Sequence, residues 1–257
     1  MNRVGFGQSS FALKATGFTS KVNPDDAILA LFAAGKQGVW YDPSDKSTLF
    51  QDVAGTVPVT KDGDPVALMK DKSGNGNHAV QTVSAARPTY QTDGVLHWLS
   101  FDGVDDYFDF NCSLGALSII SVGILFKGDQ AEFALGTKSS NSASSAKIGA
   151  TSKVELFMRL ISGNNNSTGE LRKDAANVLI GARTNLGVIT SANGDEKISG
   201  ADNSQAAQLW TYIGRTDFSG GQHLKGNVYS ILMVDKYTHK DMLSTQAYVA
   251  SKSGVTL

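Results

Sequence analysis

Cysteine is nearly missing from this chain: Cys112 is the only one in 257 residues. No intrachain disulfide can form, and a zinc site built on thiolates is excluded. A single cysteine of this kind reads as a small buried apolar side chain. Net charge is also lacking, at a formal value of -1, and no Lys/Arg run exceeds two residues. Nothing sequence-wide attracts a phosphate backbone, so nucleic acid is not an expected partner. No apolar run approaches the roughly 20 residues needed to span a bilayer, and no membrane insertion is expected. The opening stretch from Met1 to Ser20 has Arg3, but Gln8, Ser9, Ser10 and Lys14 break its apolar pieces. It does not read as a secretory signal.

Proline is scarce too, at 5 residues against 27 glycines. With many Ser, Thr and Asn, that balance suits frequent tight turns between strands, because glycine supplies the positive φ that hairpins need. The hydrophobic fraction of 41% is enough for a proper core. Asn23, Pro24, Asp25 and Asp26 form a helix start, and a helix through about Ala34 is expected, ended by Gly35 and Gly38. Its Ile28, Leu29, Leu31 and Phe32 are too apolar for solvent.

From Val39 to Arg87 the chain is turn-rich, and beyond it longer strands are expected. They are Trp98 to Phe101, Tyr107 to Phe110, Leu117 to Phe126, Glu132 to Leu135, Val154 to Ile161, Val178 to Arg183 and Asn227 to Val234. Leu117 to Phe126 is apolar on both faces and reads as a central strand. The stretches Lys138 to Ala146 and Gly163 to Thr168 have no apolar period and read as exposed loops. A helix begun by Thr238 and ended near Gly254 closes the chain. The expected fold is all-β: a two-sheet antiparallel jelly-roll sandwich with one helix before it and one after.

Three stretches carry a family resemblance: Asp71-Lys-Ser-Gly-Asn-Gly-Asn-His-Ala79, Leu99-Ser-Phe-Asp-Gly-Val-Asp-Asp-Tyr107, and Gly226 through Gly254. Together they resemble the LamG-like, concanavalin A-like lectin/glucanase superfamily over roughly residues 39 to 257. The segment Gly38-Val-Trp-Tyr-Asp-Pro-Ser-Asp45, followed by Leu49-Phe-Gln-Asp52, resembles the variant of this domain carried by phages and prophages. The resemblance implies a virion protein of the tail, baseplate or receptor-binding apparatus, which meets host-surface polysaccharide without needing a signal peptide. Its other partners would be virion proteins. Residues 1–38 would then be a tether and helix for assembly, making a homo-oligomer such as a trimer, with Val4, Phe6, Phe11, Leu13 and Phe18 seeking a partner surface. Two rival expectations are a structural capsid or tail decoration without sugar binding, and a polysaccharide depolymerase.

The glucanases of the superfamily use paired carboxylates in a Glu-x-Asp-x-(x)-Glu signature. None of the four glutamates here, Glu132, Glu155, Glu170 and Glu196, has Asp two residues on, so a non-enzymatic protein is expected. Gly74 to Ala79 satisfies a bare G-x-G-x-x-A pattern but lacks the flanking strand and helix of a dinucleotide site, and reads as a turn. Asp71, Ser73, Asn75 and Gly76 mimic the start of a calcium loop, yet position twelve is Thr82. Asp71, Asn75 and Asp102 are therefore calcium candidates only if distant residues complete a site, and no other cofactor is expected. The histidines His78, His97, His223 and His239 have no metal spacing. For a sugar, the aromatic pool is Trp40, Tyr41, Tyr107, Trp210 and Tyr212, most of it expected in the core.

Overall fold

The computed structural model describes residues 23–138, 147–150, 155–159, 165–184, 187–199, 207–217 and 222–257. The apolar segment 1–22, most of the expected 138–146 loop, and Val154 and Leu160 lie outside them.

In chain order the elements are α1 (Pro24–Leu29), running into a 3-10 segment (Ala30–Gly35), β1 (Gly38–Tyr41), β2 (Leu49–Phe50), β3 (Leu68–Met69), β4 (Ala79–Val80), β5 (Thr89–Thr92), β6 (His97–Asp102), β7 (Phe108–Leu114) and β8 (Ser118–Phe126). Then follow β9 (Glu132–Gly136), β10 (Lys147–Ala150), β11 (Glu155–Arg159), β12 (Asn165–Glu170), β13 (Ala176–Thr184), β14 (Gly187–Ala192), β15 (Asp195–Ser199) and β16 (Gln208–Ile213). The chain closes with β17 (Arg215–Thr216), β18 (Gln222–His223), β19 (Lys225–Asp235) and α2 (His239–Ser253).

Two antiparallel sheets form a jelly-roll sandwich. The first runs β15-β14-β13-β8-β19-β6-β5 with β1 also beside β19, and the second runs β12-β11-β10-β9-β16-β7-β4-β3-β2. β19 organises the first sheet. One edge pairs with β8 along its length, while the other takes β6 at Lys225–Val228 and β1 at Ile231–Val234. Between the sheets lies the main core, to which β8 contributes Ile120, Val122, Ile124 and Phe126.

A second core covers the outer side of the first sheet, where Ile119, Val178, Ile180 and Leu232 meet residues of both helices. β8 is thus buried on both faces, as its sequence suggests, but the residues facing α2 include small ones. Ser121 Oγ donates to Thr245 Oγ1 at 2.8 Å, and a Cβ on Gly123 would lie 3.0 Å from a methyl of Val249. α2 starts at a reciprocal cap: Asp241 N–H donates to Thr238 Oγ1 and Thr238 N–H to the Asp241 carboxylate. It ends at left-handed Gly254.

Two expectations change. The α-helical part of the first helix stops at Leu29, and the chain breaks at Ala33 and left-handed Ala34. Ile28, Leu31 and Phe32 are buried in the second core, so this helix packs on the outer side of the first sheet. Asn165–Glu170 is an edge strand, not a loop, because backbone pairing to β11 needs no apolar side chain. β14 and β15 form a hairpin across Asn193 and Gly194, both at positive φ, the backbone that an Asn-Gly two-residue turn favours. Among the described residues no helix is long and apolar enough to cross a membrane.

Candidate functional site

The resemblance motif at Asp71–Ala79 is a clasp for the chain entering β1. The buried Asp71 carboxylate accepts from the backbone N–H groups of Trp40, Ser73 and Asn77 and from Ser73 Oγ, at 2.7–3.1 Å. Asn75 and Asn77 donate their amides to Gly38 O at 3.2 and 3.0 Å. These groups hold backbone: both Asp71 oxygens already accept two hydrogen bonds each, and the Asn75 amide nitrogen donates to Gly38 O and Lys36 O. Asp102 behaves as the turn its glycine neighbour implies, its Oδ1 accepting from Val104 and Asp105 N–H. The carboxylates of Asp102, Asp105 and Asp106 gather within 4.8 Å. Their chemistry suits a hard cation, but three groups supply only part of the roughly six to eight oxygens calcium takes. Asp106 Oδ2 is also engaged by Asp102 N–H.

Four of the five sequence-selected aromatics are buried. Trp40 packs edge-on to Tyr248 in the second core. Tyr41 lies in the main core and donates its hydroxyl to Asn77 O. Trp210 is also in the main core. Tyr212 leaves that core because a bulge falls between Trp210, opposite Cys112, and Tyr212, opposite Asp109. The extra residue lies in β7, where residues 110 and 111 stand against residue 211 alone, so the register shifts by one and Tyr212 comes beside the outward Asp109. Tyr212 therefore stands on the outer side of the second sheet, yet is itself covered. Tyr107 meets it edge-on at 5.7 Å and remains half-buried.

Tyr107 opens a row. Phe108, Phe110, Cys112 and Leu114 of β7 point into the sandwich, so Asp109, Asn111 and Ser113 point out, in line with Tyr107. A hairpin of β17 and β18 stands beside this row, with Arg215 directly opposite His223. The Arg215 guanidinium lies 4.8 Å from the Tyr107 ring centre and pairs with Asp217 at 2.8 Å. His223 meets the other side of the cluster, its ring 6.2 Å from Tyr107. Burial and the nearby Asp217 push the Tyr212 hydroxyl up to about 12, so it stays protonated and donates to Asp217. Burial raises Asp109 above the usual carboxylate range, against the pull of Lys138 and Arg215.

Two clefts adjoin the row. One, of about 300 Å³, is lined by Gly76, Asn77, His78, Val80 and the β7 residues Asp109 to Asn111. The other, of about 390 Å³, includes Lys127, Glu132, Gln222, His223 and Lys225. Glu132 is buried in its wall, and its two oxygens accept from the backbone N–H groups of Lys225 and Gly128. Burial raises it despite those bonds. Asp109, Asn111, His78 and Arg215 were not singled out from sequence. The signal for the first two was the Phe108/Phe110/Cys112 alternation; the other two reach the site only through loops and a short hairpin.

The fold and this surface define a β-sandwich with an outward polar and aromatic row on its second sheet. No protein-family model matches the sequence, and no curated protein matches it. Among solved structures, the fold is similar to domain 4 of an extracellular arabinanase from Geobacillus stearothermophilus, solved in complex with arabinotriose. The TM-score is 0.53 at 11% identity, covering 82% of this chain and 98% of that one. It is also similar to part of the sialidase of Trypanosoma rangeli, solved in complex with sialic acid, with a TM-score of 0.51 at 8% identity. That match covers 86% of this chain, which spans only 33% of the sialidase chain. At these identities the likeness is one of fold.

Proposed function

We propose that this chain is a non-enzymatic saccharide-binding protein whose binding surface is the outward row of β7. The observation that carries the reading is a half-buried aromatic, Tyr107, standing in line with Asp109 and Asn111, both of which line the polar cleft of about 300 Å³. An aromatic face takes the C–H side of a sugar ring, and carboxylate and amide groups take its hydroxyls. The arabinotriose-bound fold neighbour supports a saccharide as the ligand. Against a hydrolytic role, both oxygens of Glu132 are spent on backbone N–H groups, and the sequence has no glucanase signature.

The finer reading is a phage virion protein that faces host-surface polysaccharide. It rests on the resemblance carried by Gly38–Asp45 and Asp71–Ala79, with attachment to the particle or to sister chains through the segment 1–38. A glycan array probed with the full chain tests the binding: retention on bacterial surface polysaccharides is expected, with no reducing ends released. A blank array favours a spacer role, and released reducing ends would establish a depolymerase. Antibody against the chain is expected to label virions of the phage that encodes it; label confined to the unassembled fraction removes the virion assignment.

A further inference from the structure

We propose that the cleft of about 300 Å³ beside β7 is a subsite for one uncharged sugar ring, gripping a vicinal diol through His78, Asp109 and Asn111. This rests on the saccharide-binding reading and adds the position and chemical class of the ligand. Its size sits at the small end of the range for ligand sites.

The polar groups are already sorted into donors and acceptors. Asp71 N–H donates to His78 Nδ1 at 3.1 Å, so that nitrogen carries no proton and the neutral ring presents Nε2–H instead. His78 is exposed, and this donor is available to a ligand. Asp109 is the acceptor. Its carboxylate is partly buried at the cleft and makes no hydrogen bond or ion pair among the described residues, so its oxygens are open to a ligand's donors. Asn111, two residues along the same face, is exposed and offers both an amide donor and a carbonyl acceptor.

Adjacent sugar hydroxyls match this set, since each donates and accepts. Two O–H groups can supply the Asp109 carboxylate while their oxygens accept from His78 and Asn111. An anionic sugar fits less well, because its charge would face the Asp109 carboxylate, on which Lys138 and Arg215 act without forming an ion pair.

The clasp that fixes His78 also fixes the cleft wall. Asn77 is tied to Gly38 through its amide and accepts the Tyr41 hydroxyl on its carbonyl. A site held in place before its ligand arrives loses less ordering entropy on binding.

The test is amide chemical-shift mapping on the full chain with methyl α-glucopyranoside, methyl α-mannopyranoside, methyl β-galactopyranoside and glucuronate as probes. At least one neutral glycoside is expected to shift the amides around His78, Asp109 and Asn111 saturably, with glucuronate weaker. Asp109→Asn, which keeps shape and removes charge, is expected to weaken that glycoside roughly tenfold without lowering Tm. Shifts confined to the Tyr107 and Arg215 side would overturn the subsite while leaving saccharide binding intact. Preference for glucuronate overturns the uncharged class. No shift from any probe overturns the subsite, and a blank glycan array alongside it takes the saccharide reading down as well.

Discussion

Asp106 holds a carboxylate at 6% exposure in the turn after β6. Burial first, and the Asp102 carboxylate second, raise it from 3.8 to about 6. Between those values the folded chain binds the proton that the unfolded chain has released. Stability therefore falls as pH rises through that window and is level above it. Asp106→Asn keeps an acceptor for Asp102 N–H and removes the charge. It is expected to flatten the pH dependence from about 4 to 6 and to stabilise the protein at pH 7.5 by on the order of 2 kcal/mol. Denaturant titrations across pH check this, and an unchanged profile contradicts it. Asp71 is the opposite case, a buried carboxylate satisfied by four donors. Asp71→Ala leaves three backbone N–H groups without their acceptor, at about 1–3 kcal/mol each. A loss of about 3–5 kcal/mol is expected, while a chelator leaves the wild-type Tm unchanged. A chelator-induced fall of more than about 10 °C would show a bound cation that these residues do not account for.

At the level of elements, β8 and α2 meet through a channel of small side chains, Ser121 and Gly123 against Thr245, Val249 and Ser253. A methyl on Gly123 would press on Val249 at 3.0 Å and Ser253 at 3.2 Å. Gly123→Ala is expected to cost about 1–2 kcal/mol by lifting the helix, read as a lower Tm; a neutral result would mean that α2 sits loosely. Much at this scale was legible in the sequence. β8, β13 and β19 announce themselves by length and apolar content, and α2 by its caps. The polar edge strand β12 did not, because its backbone pairing to β11 leaves no apolar period in the sequence. The bulge beside Trp210 was equally silent, and it decides that Tyr212 leaves the core. Of the sequence-selected aromatics only Tyr107 stays half-buried on the candidate surface. The others were indistinguishable from it in composition, because exposure depends on which face the register turns outward.

Across the whole molecule, α1 and α2 close the outer side of the first sheet, leaving the outward row of β7 on the opposite sheet. α1 is fastened at its start. Asp25 pairs with Lys72 at 3.0 Å and accepts from the Tyr248 hydroxyl at 3.2 Å. Lys72 also reaches Asp42 and Asp45, and Lys252 reaches Asp42. Removing residues 1–22 is expected to abolish self-association or particle attachment. Removing residues 1–36 should in addition uncover the second core and lower Tm sharply. Light scattering and thermal melts separate the two, and full assembly of the shorter truncation would contradict the role given to residues 1–22.

The outward row of β7 as a saccharide-binding surface is tested most directly by calorimetric titration of one array-selected glycan into the wild type and Tyr107→Ala. The substitution is expected to weaken binding at least about tenfold, roughly 1.4 kcal/mol, with a somewhat lower Tm but a single cooperative melt. An affinity unchanged by the loss of Tyr107 would place the sugar elsewhere on the sandwich and contradict the account.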